Sequence, residues 1–394
     1  MPAQDTNGPL SGVRIIDLTI YQAGPIAAML LADLGADVIK VESIAGDPTR
    51  RTRAGAPPDL RPGEPPTTLS WATCNRNKRS VVLDLSDDGA QPVFHQLLAS
   101  ADVMLTNLHP RTLRQLKADE ETVHAVNPKL VYTRVAGLGD RGPRAEDYAQ
   151  DMTGMSYSGI LFQYSNREDV PFAPPGAMND VMTATMAAFG TLAAIMQQRR
   201  TGEGQYISGS LVQTPLWAQM MTVGTLANTT TVSEVHDRDH PRSGLVNQYK
   251  CGDGRWICMA GIEAKYWPIF CDAVGAQHLM ADERFATFEG MQKNSLALVP
   301  LLDAHFAGNT SDYFLERMRA QGLWCGRVNQ LEEVLTDEHI EANGYLETLS
   351  DGSRTVAMPF HLRGYQPGLQ AGPPLGANTD EVLAELGINV GTRA

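Results

Sequence analysis

The sequence has only five cysteines in 394 residues: Cys74, Cys251, Cys258, Cys271 and Cys325. An odd, widely spaced set offers no disulfide framework. No CxxC pair occurs and no histidine falls at a metal spacing, which argues against a zinc or other metal site. The GxSxG string of a serine hydrolase is missing. No apolar run approaches the roughly 20 residues of a membrane span. The polar start, Met1–Gly8, lacks a signal-peptide pattern, so a reducing cytoplasm is the expected compartment. Positive charge is also scarce, with 32 Lys and Arg against 45 Asp and Glu and a net charge of −13. That balance argues against nucleic-acid binding, which needs a basic surface.

Apolar content, in contrast, is ample. Hydrophobic residues make up 43% and charged residues 20% of the chain. This is enough for a substantial core, and the length suggests two domains. Disorder is expected only at the termini and around residues 50–66.

The first two hundred residues alternate strand-like and helix-like pieces. Val13–Leu18, Val38–Val41, Val81–Leu85, Val103–Leu105, Leu130–Val135 and Gly204–Leu211 read as strands. Ile26–Leu34 and Gln91–Leu98 read as helices, the first opened by Pro25 and stopped by Gly35. Met178–Met196 is the strongest helix, with apolar residues mostly three or four apart. The alternation predicts an α/β fold with a parallel sheet covered on both faces, and ligands at the carboxyl ends of its strands. Residues 228–246 turn polar and read as a linker. Beyond them Tyr249–Met259, turning at Gly252–Gly254, and helices at Ala264–Val274, Ser295–Phe306 and Ser311–Gln321 suggest a smaller α+β domain. The expected division is 1–212, 245–325 and 330–394, the last part returning to the first domain through a helix at Asn378–Leu386.

The turn Gln22-Ala23-Gly24-Pro25 follows a strand but has one glycine. The GxGxxG fingerprint of a dinucleotide fold is absent, although Glu42 stands where a ribose-binding acid would. Arg50, Arg51 and Arg53 form one basic cluster, and Asn75-Arg76-Asn77-Lys78-Arg79 another. Amides and cations together suit phosphate and adenine, although a solvated surface is the common explanation. Asp180 opens the long helix. It or Asn179 could simply cap free N–H groups. The same helix end also favours an ionised carboxylate, the form that attacks an acyl carbon.

The strings YQAGP (21–25), LGADVIKVE (34–42), NRNKRSVVLDL (75–85), ADVMLTNLHP (101–110), RTGEGQ (200–205) and PPLGANTDEVLAELG (373–387), in this order, resemble the family III CoA-transferases. That family includes formyl-CoA:oxalate transferase, carnitine CoA-transferase and the α-methylacyl-CoA racemases. The resemblance spans Gly12 to Gly387. It implies a large Rossmann-like domain from both ends of the chain, a smaller domain between, and two chains interlocked as a homodimer. Its substrates would be an acyl-CoA and a carboxylic acid, with coenzyme A as substrate and product and no metal.

By the same resemblance Asp180 is the catalytic carboxylate, passing through an aspartyl anhydride and an aspartyl-CoA thioester. Gln22 orients the acyl intermediates, and Glu146 lies beside them. Cys74, Asn75, Arg76, Asn77, Asn107, Leu108, His109 and Arg144 match CoA contacts. Arginines that touch CoA in the oxalate enzyme are replaced here by Ser43 and Gln115, and its glycine-rich lid is missing, so oxalate specificity is not implied. Racemases of the family carry His-Asp where this chain has Glu146-Asp147. Transfer is therefore the expected reaction. Racemisation is the alternative, and it would show as α-proton exchange in deuterated water without an acceptor acid.

Overall fold

The structure is a computed structural model that describes residues 8–51, 68–165, 170–230, 236–261 and 263–388. Of the 50–66 stretch, residues 52–66 lie outside the described residues.

From the N-terminal side the elements are β1 (Arg14–Leu18), α1 (Ala23–Asp33), β2 (Asp37–Glu42), α2 (Leu69–Asn75), β3 (Arg79–Val82), α3 (Gln91–Ala99) and β4 (Val103–Thr106). Then follow α4 (Pro110–Gln115), α5 (Glu120–Val126), β5 (Val131–Ala136), α6 (Asp151–Ser158), α7 (Ile160–Gln163), α8 (Met178–Thr201), β6 (Gln205–Ser210), α9 (Gln213–Ala218) and α10 (Met220–Thr229). The six strands pair in parallel in the order β3-β2-β1-β4-β5-β6. This is the doubly wound order, in which the chain reverses direction between β1 and β4 and leaves a crevice at their carboxyl ends.

The strands are apolar on both sides because helices cover both faces. Ile15, Ile16, Val38, Ile39, Val103, Met104 and Leu105 are all buried, each contributing about 1.5–3 kcal/mol. On one face α1 packs against α8. The contact uses small side chains, with Ala27 and Ala28 sharing a core with Ala184, Ala187 and Ala188. Thr133 on β5 and Thr191 on α8 join by a buried 2.8 Å hydrogen bond.

Residues 236–343 form a second compact unit. Its antiparallel sheet joins β7 (Val246–Lys250), β8 (Trp256–Ala260) and β9 (Cys325–Val328). Its helices are α11 (Tyr266–Val274), α12 (Phe288–Lys293), α13 (Ser295–Phe306), α14 (Ser311–Ala320), α15 (Leu331–Val334) and α16 (Glu338–Ala342). Trp267, Phe270, Phe306 and Phe314 fill a core of its own. The unit runs past the expected 245–325 span because β9 completes its sheet and α15 and α16 follow. The first unit likewise runs past 212, since α9 and α10 belong to it.

From Gly344 the chain returns to the first unit as a hairpin of β10 (Leu346–Thr348) and β11 (Arg354–Val356), then α17 (Thr379–Glu385). This segment lies along the outer strand β3. Asn378 Oδ1 accepts from Ser80 N–H at 3.0 Å, and Thr379 Oγ1 from Val82 N–H at 3.1 Å.

Candidate active site

The turn after β1 is held from three sides. Asn107, just past β4, accepts from Ile20 N–H at 2.9 Å and donates to Ile20 C=O at 2.7 Å. Lys40 Nζ donates to Thr19 C=O at 2.8 Å, and Lys78 Nζ to Pro25 C=O at 2.8 Å. Both ammonium groups are buried and share Asp17, Lys78 at 2.8 Å and Lys40 at 3.9 Å. Tyr21 takes a left-handed conformation at φ 64°, and Gln22 follows it, half-buried, at the start of α1. Gly24 is required here. A Cβ at that position would sit 2.6 Å from Thr19 Cγ2 and 3.0 Å from Asn107 Cγ. Gly24→Ala is therefore expected to cost about 1–3 kcal/mol by overpacking, readable as a lower urea midpoint with an unchanged slope.

A cavity of about 200 Å³ opens at the carboxyl ends of β1 to β4. Thr19 and Ile20, Glu42 and Ser43, Leu83 and Leu85, and Leu108 and Leu116 contribute to its lining. It is smaller than the about 300–1,000 Å³ of whole-ligand pockets, so it suits one part of a long ligand. Glu42, whose position suggested a ribose partner, is already engaged by Arg50 at 2.7 Å and by Ser80 Oγ at 2.6 Å.

Asp180 stands in the first turn of α8, half-buried. Two left-handed residues precede the helix, Gly176 at φ 83° and Ala177 at φ 54°. The alanine there costs about 1–2 kcal/mol of strain. The helix start is then locked to α6. Asp180 N–H donates to Asp151 Oδ1 at 2.8 Å. Asn179 Nδ2 donates to Leu211 C=O at 2.9 Å and Asp151 C=O at 3.2 Å. Gly154 allows the approach, since a Cβ on it would lie 2.5 Å from Leu211 O. Asp151 is therefore the residue that takes a free N–H of the helix end, and the Asp180 carboxyl group is left for another use. Burial, and then the neighbouring Asp151, push the Asp180 carboxyl up to about 7. The helix end favours the ionised form, and burial and Asp151 oppose it.

The remaining candidates fall into separate groups. Cys74 and Asn75 are buried; burial pushes the Cys74 thiol up to about 11, and Asp180 adds to the rise in a minor way. Asn75 Oδ1 accepts from Lys78 at 2.9 Å. Arg76 is buried and grips Asp33 through Nη2 at 2.6 Å and Nε at 3.0 Å. Asn77 Nδ2 donates to the same Asp33 at 2.7 Å. Four cations of the basic clusters are engaged by acids: Arg50 with Glu42, Arg76 with Asp33, Lys78 with Asp17, and Arg79 with Asp37 and Glu385. Arg51 is exposed and donates to Ala45 C=O, and Arg53 lies outside the described residues. Leu108 lines the cavity. His109 stacks on Tyr148 with centroids 4.3 Å apart, and its Nε2 lies 2.9 Å from Glu146 O. The exposed Glu146 carboxylate pairs with Arg114 at 2.8 Å, which lowers its pKa. Arg144 is exposed and pairs with Asp147 at 2.9 Å.

Sequence reading missed the role of Asp151. Asp151 gave no signal, because its partner is 29 residues away. Most cavity residues sit at or just after the ends of β1, β2 and β3, a position the strand assignments already marked. Among the described residues no group of three or more His, Cys, Asp or Glu is placed to hold a metal, and no helix is long and apolar enough to cross a membrane.

A doubly wound sheet with a crevice over β1 and β4 and a half-buried carboxylate on a helix start define a doubly wound α/β protein. The comparisons narrow this: the chain belongs to CoA-transferase family III, whose family model matches residues 10–379. It is similar to (R)-2-hydroxy-4-methylpentanoate CoA-transferase of Clostridioides difficile, at 27% identity over 96% of this chain and 95% of that one. It is also similar to succinyl-CoA–D-citramalate CoA-transferase of Chloroflexus aurantiacus, at 29% identity over 98% and 96% of the two chains. Among solved structures, a CAIB/BAIF family protein from Brucella suis superposes with a TM-score of 0.85 at 27% identity, covering 96% of this chain and all of that one.

Proposed function

We propose that the chain moves CoA from an acyl-CoA to a free carboxylic acid through covalent intermediates on Asp180. The Asp180 carboxylate attacks the thioester carbonyl. The C–S bond breaks, a mixed anhydride forms and CoA leaves as thiolate. The thiolate attacks the aspartyl carbonyl of the anhydride, releasing the donor acid as carboxylate and leaving an aspartyl-CoA thioester. The acceptor carboxylate attacks that thioester, forming a new anhydride and thiolate. Attack of the thiolate on the new acyl carbonyl yields the product acyl-CoA and regenerates Asp180. Every nucleophile and leaving group is an anion, so no proton is consumed.

The observation that carries this reading is the Asp180 carboxyl group, half-buried and released from capping duty by Asp151. Partial burial makes an anionic oxygen a better nucleophile than it is in water. The strand-end cavity supports a site for the nucleotide end of CoA, with Leu108 in its lining. Gln22 and Glu146 are assigned to orienting the intermediates. Arg144, His109 and residues 74–77 remain assigned to the CoA path, the buried ones as its frame. A homodimer is part of the proposal, supported by α10, which buries none of its residues, and by exposed Trp217, Met221, Phe189 and Met196 on α8 to α10. Such an apolar surface is large for an isolated chain.

The test is to incubate the protein with an acyl-CoA donor and no acceptor, then trap with borohydride. A modified peptide containing residue 180 is expected by mass spectrometry. Modification elsewhere, or turnover by Asp180→Ala at the wild-type rate, would remove the proposal.

A further inference from the structure

Tyr21 combines a strained backbone with an unused side chain. Its φ of 64° is left-handed, a region that disfavours a bulky residue and admits glycine freely. The surroundings impose it. Asn107 grips Ile20 at both N–H and C=O, Lys40 holds Thr19 C=O, and Lys78 holds Pro25 C=O. Tyr21 N–H itself donates to Asp47 Oδ1 at 3.4 Å. Strain of this kind persists where the structure over-determines it, and it gathers at ligand sites. The side chain makes no polar or stacking contact that would offset it. It is 45% exposed, and among the described residues its hydroxyl has no hydrogen bond and its ring no stacking partner.

Residue 21 lies between the two parts of the proposed site. Ile20 and Asp47 line the strand-end cavity, and Gln22 follows at the start of α1. Helix α1 leaves β1 and α8 leads into β6, so both helices begin at the carboxyl edge of the parallel sheet. Ala23 and Ala184 accordingly share one buried cluster, and Ala184 stands one turn beyond Asp180. A CoA molecule with its nucleotide in the cavity and its sulfur at Asp180 therefore runs past residue 21. The stretch that passes is the pantetheine arm, which alternates amides with methylenes and a dimethyl-bearing carbon. A tyrosine matches that pattern with an apolar face and a hydroxyl at its tip.

We propose that the Tyr21 ring holds the pantetheine arm of CoA, aimed there by the left-handed turn. Tyr21 binds the arm and takes no part in the acyl transfer itself. The inference rests on the CoA-transfer reading and deepens it by adding a contact that selects for the arm.

The test compares binding of CoA with binding of adenosine 3′,5′-bisphosphate, the nucleotide end without the arm. Tyr21→Ala and Tyr21→Gly are each expected to weaken CoA by about tenfold, the worth of one aromatic contact. Both should bind the nucleotide within about twofold of wild type, because it does not reach the ring. Tyr21→Phe keeps the ring and should retain most of the CoA affinity. Glycine adopts the left-handed conformation freely, so Tyr21→Gly should show a higher urea midpoint than Tyr21→Ala while binding CoA no better. That split separates the use of the ring from the strain of the backbone. In turnover the loss should fall on KM for acyl-CoA. Unchanged CoA affinity in the Ala and Gly variants, or equal weakening of the nucleotide, overturns the inference. So does a homodimer that dissociates in Tyr21→Ala with CoA affinity intact, read by analytical ultracentrifugation, because the ring would then belong to a partner chain. Each of these outcomes leaves Asp180 chemistry standing. Failure of any donor to modify residue 180 in the wild type removes the underlying reading instead.

Discussion

Asp180→Asn is expected to abolish CoA transfer, by at least about 10³-fold since the covalent step is lost, and at the same time to stabilise the protein above pH 7. The two effects share one cause. Burial and Asp151 raise the Asp180 carboxyl to about 7, so the folded chain holds this proton more tightly than the unfolded chain does. Stability from this group is therefore complete below the ordinary aspartate range and falls as pH rises toward 7. A rise from 3.8 to about 7 corresponds to about 4 kcal/mol, and partial exposure reduces this to about 2–3 kcal/mol. Asparagine removes the ionisation and the loss with it. Urea denaturation at pH 8 should show the variant more stable, and at pH 4 the two proteins should converge. A residue that merely capped the helix would give the opposite sign at pH 8. In the wild type, kcat/KM should rise with pH through about 7 as the nucleophile ionises.

The second large effect concerns Arg76. Its sequence context suggested a hand for CoA, but its guanidinium is buried against Asp33, Thr355 and the carbonyl of Val356. Arg76→Met would leave Asp33 buried with Asn77 as its remaining side-chain partner among these. Breaking such a pair costs about 3–5 kcal/mol. The expected result is a large drop in urea midpoint, with KM for acyl-CoA changed by less than about twofold in the folded fraction, since no direct ligand bond is lost. The double variant Asp33→Leu, Arg76→Met should recover much of the loss, because a well-packed apolar pair avoids the desolvation of both charges. A large KM effect with normal stability would return Arg76 to the ligand.

The strands of the first unit were readable because a parallel sheet covered on both faces leaves continuous apolar runs. Ile15-Ile16 and Val103-Met104-Leu105 are examples. Ser295–Phe306 reads as a helix and is one, although Pro300 lies inside it. Asp180 was legible as the acid opening the longest helix, and the joint occurrence of the family strings gave it a role. What stayed hidden depends on pairing across the chain. The run Asn75–Arg79 reads as one basic patch, yet its cations turn to Asp33, Asp17 and Asp37, between 42 and 61 residues away. Local sequence has no term for such partners. The place of the cavity at the strand ends was expected, but its particular lining was not, since it forms only when the sheet order sets the ends of β1 to β4 side by side. Short helices such as α6 and α9 lack the length over which periodicity becomes visible.

The stitching of Asn378 and Thr379 onto β3 has a consequence for synthesis. A nascent chain emerging from the ribosome would complete residues 236–343, with a core of their own, before the strand edge at Ser80 and Val82 meets its partners. Until Gly376–Thr379 is translated, that edge presents bare N–H groups to any other strand nearby. The window for misassembly therefore stays open until residue 379 has been made, and closes with a few hydrogen bonds.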